Sequence, residues 1–584
     1  ALQVLLANTA LVVHIGDDGQ LSISGGELIG DTDSVDKKNK LSSAILGVLS
    51  TVAASQALGQ EPIVEEVLVT GIRGSLQRSM DVKRDSIGVV DAISAEDIGK
   101  FPDTNLAESL QRISGVSIDR SGGEGQLITV RGFGPEFNAV LLNGRQVATE
   151  NTSRAFSFDT VASELVSGLQ VHKTSTATMQ SGGIGSTINV QTARPFDSYG
   201  LNVAGSIKGI YDENSEKTGP QASVLVSNTF ADDTIGALLS LSYQQRDTRL
   251  DRAQIDGWLE NVGIPVEELN GGMGVPEGTT VFIPRNYNYI VNFEERERTN
   301  ASLVLQFAPN EDLTLSTDFV YSDFDIQSWA PAYGNWFTGP NTTDVITDEN
   351  GTVIDISQEV GLATDLQIKR FDRLTETSLI GLNADWDVNS KLNMAFDLSY
   401  SQAEREPNNG YEDALSIVGY ANRARFINDG ADLPYFTEFT EANPNIYSGQ
   451  QEIEGVAYLD PSDPDYEAPD GVGDFWDPNN TKPHVQILRG WAVDDEVTQF
   501  KIDGAWNEGS SNGFVAAKFG MQFSNETKDM QRWENEDGVH ATIAGYPDIP
   551  PISNDMQWLF DAGSDFLSDA SGSGRMPTSW LIHD

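Results

Sequence analysis

The chain has 584 residues and a net charge of −50, from 37 basic and 87 acidic side chains. This charge argues against nucleic-acid binding, which needs clustered Lys and Arg, while a hydrophobic content of 39% is too high for a disordered acidic tail. No stretch reaches the roughly 18 apolar residues of a membrane-spanning helix, so a chain of this kind could enter a membrane only as a β-barrel.

Residues 1–36 read as a short helix, a strand, an Asp18-Gly19 turn and a second strand. They resemble the second half of the secretin and TonB short N-terminal domain. That resemblance implies signalling to an inner-membrane anti-sigma regulator as a partner. A generic β-hairpin is the alternative, because only half of such a domain is present.

Residues 37–61 have the three parts of a secretory signal peptide. Lys37, Lys38 and Lys40 form a basic start, residues 44–54 are apolar, and small residues at Ser55 and Ala57 suit a signal peptidase. The position is unusual for a signal peptide because residues 1–36 precede it. Three explanations remain open: a joined or misassembled reading frame, a true start near residues 35–41, or an uncut linker between a signalling domain and residues 62–195.

Residues 62–195 mix helical and strand patterns and predict a compact α+β domain. Leu106, Leu110 and Ile113 have helical spacing, and short β-like runs come after them. The motifs of this region occur in the order EEVLVTG, ISAEDIGKFPDTNLAESLQRISGVSIDR, ITVRGF, VLLNGR and GGIGSTINV.

These motifs in this order resemble the plug domain of TonB-dependent outer-membrane receptors, and the GKFPDTNLAESLQRISGVSIDR variant is similar to a subgroup often linked to carbohydrate uptake. The resemblance implies an α+β plug domain inside an antiparallel transmembrane β-barrel of about 22 strands. It also implies a Gram-negative outer-membrane location in contact with lipid, and TonB with its inner-membrane energising complex as partner.

The resemblance carries over to individual residues. It places the TonB box, which pairs as a strand with TonB, at Val64, Glu65, Glu66, Val67, Leu68, Val69 and Thr70. An ordinary plug strand is the alternative for that segment. Plug signature positions are Arg131, Gly132, Asn143, Gly144, Gly182, Gly183 and Gly185. We expect these to hold the fold, with Arg131 in a buried charge pair with the barrel wall.

Residues 196–584 contain segments that alternate between apolar and polar side chains, the period of a β-strand with two different faces. Tight turns near 230–234, 308–312, 387–390 and 507–512 alternate with long connections at about 247–294, 323–373 and 404–484, as in bacterial outer-membrane barrels. We predict about nine strands, near 201–211, 219–230, 235–246, 295–308, 313–324, 374–387, 391–403, 494–507 and 513–526.

A soluble β-sandwich is the alternative, and it explains the long connections poorly. Nine strands cannot close as a barrel in lipid, so we expect the chain to be the N-terminal part of a longer protein.

The long loops of a barrel receptor face outward and would meet a small-molecule ligand. The candidate ligand contacts are Trp329, Tyr333, Asn335 and Trp336, because aromatic rings beside amide groups suit sugars. The same rings could instead pack the loops together. The acidic run at 460–474 misses the spacing of a Ca²⁺ loop and reads as solvated loop.

The sequence supports no catalytic residues, metal site or cofactor, since the five histidines are scattered and no phosphate-binding loop is present. We therefore predict a transporter and not an enzyme. The leading ligand is an oligosaccharide, and a ferric siderophore, haem or cobalamin is the alternative. A surface signalling or adhesion barrel without transport, or a passive porin, would be a different class.

Overall fold

The computed structural model describes residues 11–15, 21–25, 79–94, 105–260, 280–337, 342–358, 363–408, 410–421, 424–437, 482–508, 515–535, 553–575 and 577–583. The signal-peptide-like segment 37–61, the predicted TonB box 64–70 and the acidic run 460–474 lie outside these residues. Strands β1 (Leu11–Ile15) and β2 (Leu21–Gly25) pair antiparallel, an arrangement common to both interpretations of residues 1–36. Within the described ranges, no helix is long and apolar enough to cross a membrane.

Residues 79–94 and 105–197, named the first domain, fold as an α+β unit. Its elements are β3 (Val90–Ser94), a short helix Leu106–Leu110, β4 (Val116–Ser121), β5 (Glu124–Val130), β6 (Asn138–Leu142), β7 (Arg145–Gln146), β8 (Val166–His172) and β9 (Ser186–Thr192), with 3-10 helices Pro135–Phe137, Phe158–Thr160, Ser163–Leu165 and Pro195–Asp197. A five-stranded sheet runs in the order β3-β8-β9-β6-β7, and β4 pairs with β5. The helix begins at Asn105, whose side chain accepts from the Ala107 and Glu108 amides.

The remaining strands lie C-terminal to the first domain. They are β10 (Asn202–Asp212), β11 (Lys217–Phe230), β12 (Ile235–Gln254), β13 (Trp258–Glu260), β14 (Phe282–Pro284), β15 (Asn286–Asn310), β16 (Leu313–Trp336), β17 (Thr342–Thr347), β18 (Val353–Gln358), β19 (Ala363–Asn389), β20 (Leu392–Glu406), β21 (Asp413–Ala421), β22 (Ala424–Ile427), β23 (Tyr435–Thr437), β24 (Lys482–Asn507), β25 (Ala516–Glu534), β26 (Gln557–Asp561) and β27 (Ser579–His583), with 3-10 helices Asn554–Met556 and Ser573–Arg575.

Ten of these strands form one antiparallel sheet, called the large sheet. Its order is β10-β11-β12-β15-β16-β19-β20-β24, where β25 pairs with β24 and β21 bridges β19 and β24. All nine predicted strands lie in this sheet. Most of them are longer than predicted. In β15 and β16, residues 286–294 and 325–336 also pair with each other. The Asn-Tyr-Asn-Tyr run at residues 286–289 does not alternate between apolar and polar side chains as a two-faced strand does. It still forms a strand, and its side chains are buried on both faces of the sheet.

The two faces of the large sheet differ in chemistry. On β15, Arg296, Arg298 and Asn300 are buried against the first domain, whereas Leu303 and Leu305 on the opposite face are exposed. The exposed apolar residues of that outward face include Leu239, Phe307, Phe319, Ile380, Leu382, Trp386, Phe396, Leu398, Phe519, Met521 and Phe523. An apolar outer face and a polar inner face are the arrangement of an outer-membrane barrel wall.

Candidate functional site at the contact between the first domain and the sheet

Arg145 joins the first domain to the large sheet by buried ion pairs. Its guanidinium is 1% exposed and donates from Nη1 to Asp318 Oδ2 at 2.6 Å and from Nη2 to Asp397 Oδ2 at 2.8 Å. Asp318 is on β16 and is completely buried, and Asp397 is on β20. Burial opposes the charge of Arg145, but the two carboxylates outweigh it and raise the arginine's pKa above its ordinary value.

Local backbone geometry on both sides lets Arg145 reach its partners. The preceding Asn143 and Gly144 have φ values of 53° and 81°, so they form a tight left-handed turn between β6 and β7. On β19, a Cβ built on Gly381 would lie 2.1 Å from the Arg145 Cζ. The sheet therefore leaves room for the guanidinium only because that position has no side chain.

Glu124 forms a second buried contact with the sheet, of opposite polarity. Its carboxylate is 1% exposed and lies 3.1 Å from Arg298 Nη2, 3.3 Å from Arg296 Nη1 and 3.2 Å from Arg246 Nη1. Burial raises the pKa of Glu124, but the attraction of the three guanidinium groups is larger and lowers it overall. Glu124 therefore stays ionised within this cluster.

Asp159 lies beside the same arginines in a less favourable environment. It is fully buried, and its Oδ2 is 3.4 Å from Arg296 Nη1, while Oδ1 has no hydrogen-bond partner among the described residues. Burial is the main cause that raises the pKa of Asp159 to about 6. Arg296 and Arg298 lower this pKa but offset burial only in part, and Glu124 and Glu150 raise it further. Asp159 is thus the group here that titrates near neutral pH.

We predict that Asp159→Asn removes a pH dependence from the contact between the first domain and the sheet. A free aspartate has its pKa near 3.9. Above pH 6 the buried Asp159 is therefore ionised in an environment that disfavours its charge, which weakens the contact by about 3 kcal/mol. The wild-type contact should therefore be independent of pH from 8 to about 6 and should strengthen as the pH falls from about 6 to about 4, where a free aspartate is also protonated. Glu124, with its lowered pKa, has the opposite sign and acts only at more acidic pH.

Hydrogen exchange of the first-domain amides from pH 4 to 8 measures this effect. The asparagine variant should show stronger protection than wild type at pH 8 and a flat profile. An unchanged wild-type profile in the variant would assign the titration to another group.

Side chains of the sheet also accept hydrogen bonds from backbone amides of the first domain. The Thr149 amide donates to Asp495 Oδ2 at 2.8 Å, the Ala148 amide to Ser401 Oγ at 3.1 Å and the Ala162 amide to Asn300 Oδ1 at 3.1 Å. These contacts reach β15, β20 and β24, so the domain is attached across most of the sheet.

The predicted role of Arg131 is wrong. Arg131 is exposed and donates from Nη1 to the Lys173 carbonyl at 2.7 Å, a contact within the first domain. The buried pair with the wall belongs to Arg145 instead. The sequence did contain a signal for this contact. Asp318 and Asp397 lie in the middle of predicted strands, and a carboxylate buried at such a position needs a cation as partner.

The other signature residues lie in turns of the first domain. The Asn143 side chain donates to Thr192 Oγ1 at 2.9 Å, and the Gly144 amide donates to Asn189 Oδ1 at 2.9 Å. A Cβ on Gly185 would lie 2.7 Å from Asn138 Oδ1. Gly132 and Gly182 have positive φ, and Gly183 packs against the Ser186 carbonyl.

The four candidate ligand contacts are not brought together in one site. Tyr333 is fully buried and stacks on Tyr289 at 5.9 Å between ring centroids. Asn335 is buried and accepts from Thr364 Oγ1 at 2.8 Å, and Arg285 lies 5.2 Å above the Trp336 ring. Trp329 alone of the four lines a large cavity. Tyr333, Asn335 and Trp336 therefore contact neighbouring strands and loops of the protein. This matches the alternative in which these side chains pack the loops together.

No metal-binding group of three or more His, Cys, Asp or Glu side chains is found in the described ranges.

The first domain matches a family model. Residues 82–187 match the model described as TonB-dependent Receptor Plug Domain. A curated relative, the ferric enterobactin receptor PirA of Pseudomonas aeruginosa, is 29% identical over 184 residues, which are 28% of this chain and 25% of that receptor. The chain thus aligns with about a quarter of the length of this relative.

Solved receptor structures are also similar. The siderophore receptor PiuA from Acinetobacter baumannii is 13% identical, with 77% of this chain and 62% of that chain covered and a TM-score of 0.29. The ferric yersiniabactin uptake receptor FyuA from Yersinia pestis is 11% identical, with 76% and 61% covered and a TM-score of 0.26.

Proposed function

We propose that this chain, which belongs to the TonB-dependent receptors by its plug domain at residues 82–187, imports a scarce small ligand across the outer membrane. The matched curated relative is named a receptor, and we infer a transporter and not an enzyme. It is an outer-membrane protein whose apolar sheet face contacts lipid and whose polar face contacts the plug. TonB would engage residues 64–70 and supply work from the inner-membrane proton gradient.

The observation that carries this proposal is the buried charge contact between plug and wall. Removing one partner of a buried ion pair costs about 3–5 kcal/mol, because the other charge is left without compensation. Spontaneous withdrawal of Arg145 from Asp318 and Asp397 would therefore be rare. A plug held in this way blocks passage until external work displaces it, which is the requirement for coupling transport to TonB.

We favour a ferric siderophore as the ligand, because the matched curated relative is named a ferric enterobactin receptor. The expected oligosaccharide becomes the second candidate. It was supported by the resemblance to a subgroup linked to carbohydrate uptake and by the aromatic segment at 329–336. The buried positions of Tyr333 and Asn335 weaken the second of these.

Uptake of radiolabelled iron bound to enterobactin, compared with a labelled maltodextrin, tests the ligand in cells that depend on this receptor. Iron uptake that stops when the proton gradient is collapsed supports the proposal. Uptake that survives the collapse indicates a passive porin, and surface binding without any uptake indicates an adhesion barrel. Maltodextrin uptake alone would restore the oligosaccharide assignment.

A further inference from the structure

The outward face of the large sheet has three levels along its strands. Along β15 from its C-terminal end, the first level consists of the exposed apolar residues Phe307, Leu305 and Leu303. The second level on the same face consists of Glu297 and Glu295, and the third begins at Phe293. Neighbouring strands have the same sequence of levels, with acidic residues at Asp323, Asp325, Glu376, Glu404, Asp494 and Glu496. The acidic level marks where the lipid-facing band ends, since charged side chains do not face hydrocarbon.

A cavity of about 660 Å³ lies at the level beyond the acidic residues. Its size is within the range of small-ligand sites. Its lining includes Phe293, Trp329, Tyr411 and Trp558. The Phe293 and Trp329 rings stack with centroids 5.4 Å apart and an interplanar angle of 18°, and Phe560 packs edge-on against Trp329 at 5.9 Å. The aromatic wall is therefore held rigidly, while Trp558 and Tyr411 at its rim are 45% and 41% exposed.

The charges around the cavity favour a hydroxyl-rich ligand over a free anion. Among the lining residues whose side chains are on the outward face, the carboxylates of Asp247, Glu295 and Asp372 outnumber the cations of Lys217 and Arg370. Lys217 already pairs with Asp247 at 2.9 Å. Carboxylates accept hydrogen bonds from hydroxyl groups, and aromatic faces stack on the apolar faces of sugar rings.

The position of the cavity identifies the source of such a sugar. The plug contacts Arg296, Arg298 and Asn300 on the opposite face of the sheet. Phe293 and Trp329 are on the face that continues from the lipid-facing band. Trp329 is eight residues beyond Tyr321, which is about 26 Å along a strand. With a strand tilt of about 40°, that places the cavity about 20 Å above the band.

We propose that this outward cavity binds a sugar of the glycolipid headgroups in the outer leaflet of the membrane around the receptor. A ligand in transit through the plug would not meet this site. The inference holds whether the transported ligand is a siderophore or an oligosaccharide, and it depends only on the outward face being the membrane face.

The test is isothermal titration of the full-length receptor with a lipid-free core oligosaccharide of lipopolysaccharide that contains only its uncharged outer hexoses, and in a parallel arm with maltohexaose. We expect Trp558→Ala and Glu295→Gln each to weaken binding of the core oligosaccharide by about tenfold or more, a change of about 1.4 kcal/mol. Trp258→Ala is the matched control, because Trp258 is 41% exposed and does not line the cavity.

Energised uptake should be the same in all three variants, so a failure of this inference is distinguishable from a failure of the transport proposal. If wild type does not bind the core oligosaccharide, the inference is wrong. That result is expected if another segment of the chain fills the cavity. Equal loss in Trp258→Ala, or maltohexaose binding as tight as that of the core oligosaccharide, would overturn it as well.

Discussion

Arg145→Met should loosen the plug by about 3–5 kcal/mol, because it leaves the completely buried Asp318 with no cation closer than Arg194, whose Nη2 is 3.9 Å from Asp318 Oδ1. Methionine keeps much of the length of the side chain, so the expected effect is electrostatic and not a cavity. The measurement is hydrogen exchange of plug amides in the purified receptor, with ion conductance in planar bilayers as a second readout. We expect faster exchange in the plug and a higher frequency of open events.

Two further variants separate charge from packing in this prediction. The triple variant Arg145→Met, Asp318→Asn, Asp397→Asn removes Arg145 together with both of its carboxylates and should recover most of the lost protection, since the remaining Arg194 is 31% exposed to solvent. Gly381→Ala keeps every charge but places a Cβ where the Arg145 guanidinium lies, and it should loosen the plug as well.

Arg120→Met is the matched control for the loss of an arginine. Arg120 pairs with Glu108 inside the plug and is 48% exposed, so its removal should cost about 1 kcal/mol or less. Wild-type protection in Arg145→Met would mean that the contacts of Glu124 and Asp495 alone retain the plug.

Deletion of residues 64–70 should lower energised uptake by about a hundredfold or more. Without TonB, the plug would leave its buried contacts only at their spontaneous frequency, and 3–5 kcal/mol corresponds to about 10²–10⁴ in population. The measurement is initial uptake rate beside surface binding of the same ligand. Binding should be unchanged, because the segment precedes the plug in the chain.

A single substitution provides a sharper version of this deletion. Val67→Pro removes a backbone donor that strand pairing with TonB requires, whereas Val67→Ile keeps both the donor and the strand preference. Uptake should fall in the proline variant only. Equal uptake in both would show that residues 64–70 are an ordinary plug strand and not the TonB box.

Much of the architecture was predictable because strand period is a local property. The alternation from Leu303 to Phe307 indicates which side chains face outward without knowledge of the neighbouring strand. The motif order ending in GGIGSTINV indicated the plug in the same way, and the family model confirms it. The far ends of β15 and β16 were missed because their aromatic residues pack under loop segments distant in sequence.

The partners of buried charges could not be predicted, because they depend on which strands meet the plug. Arg131 and Arg145 both come after strand-like runs, and their sequence context does not say which one reaches the wall. Arg145 is 173 residues from Asp318 and 252 residues from Asp397. Only the packed structure, with an opening at Gly381, selects it.

By itself, the sequence determined the α+β plug, the alternating strands and the chemistry of the two sheet faces, since each depends on residues a few positions apart. The tertiary structure decided which arginine is buried, that Asp159 is buried beside Glu124, and that Trp329 lines an outward cavity while Tyr333 is in a core. Those outcomes depend on desolvation and on distances between remote segments, and neither quantity exists until the sheet and the plug are packed together.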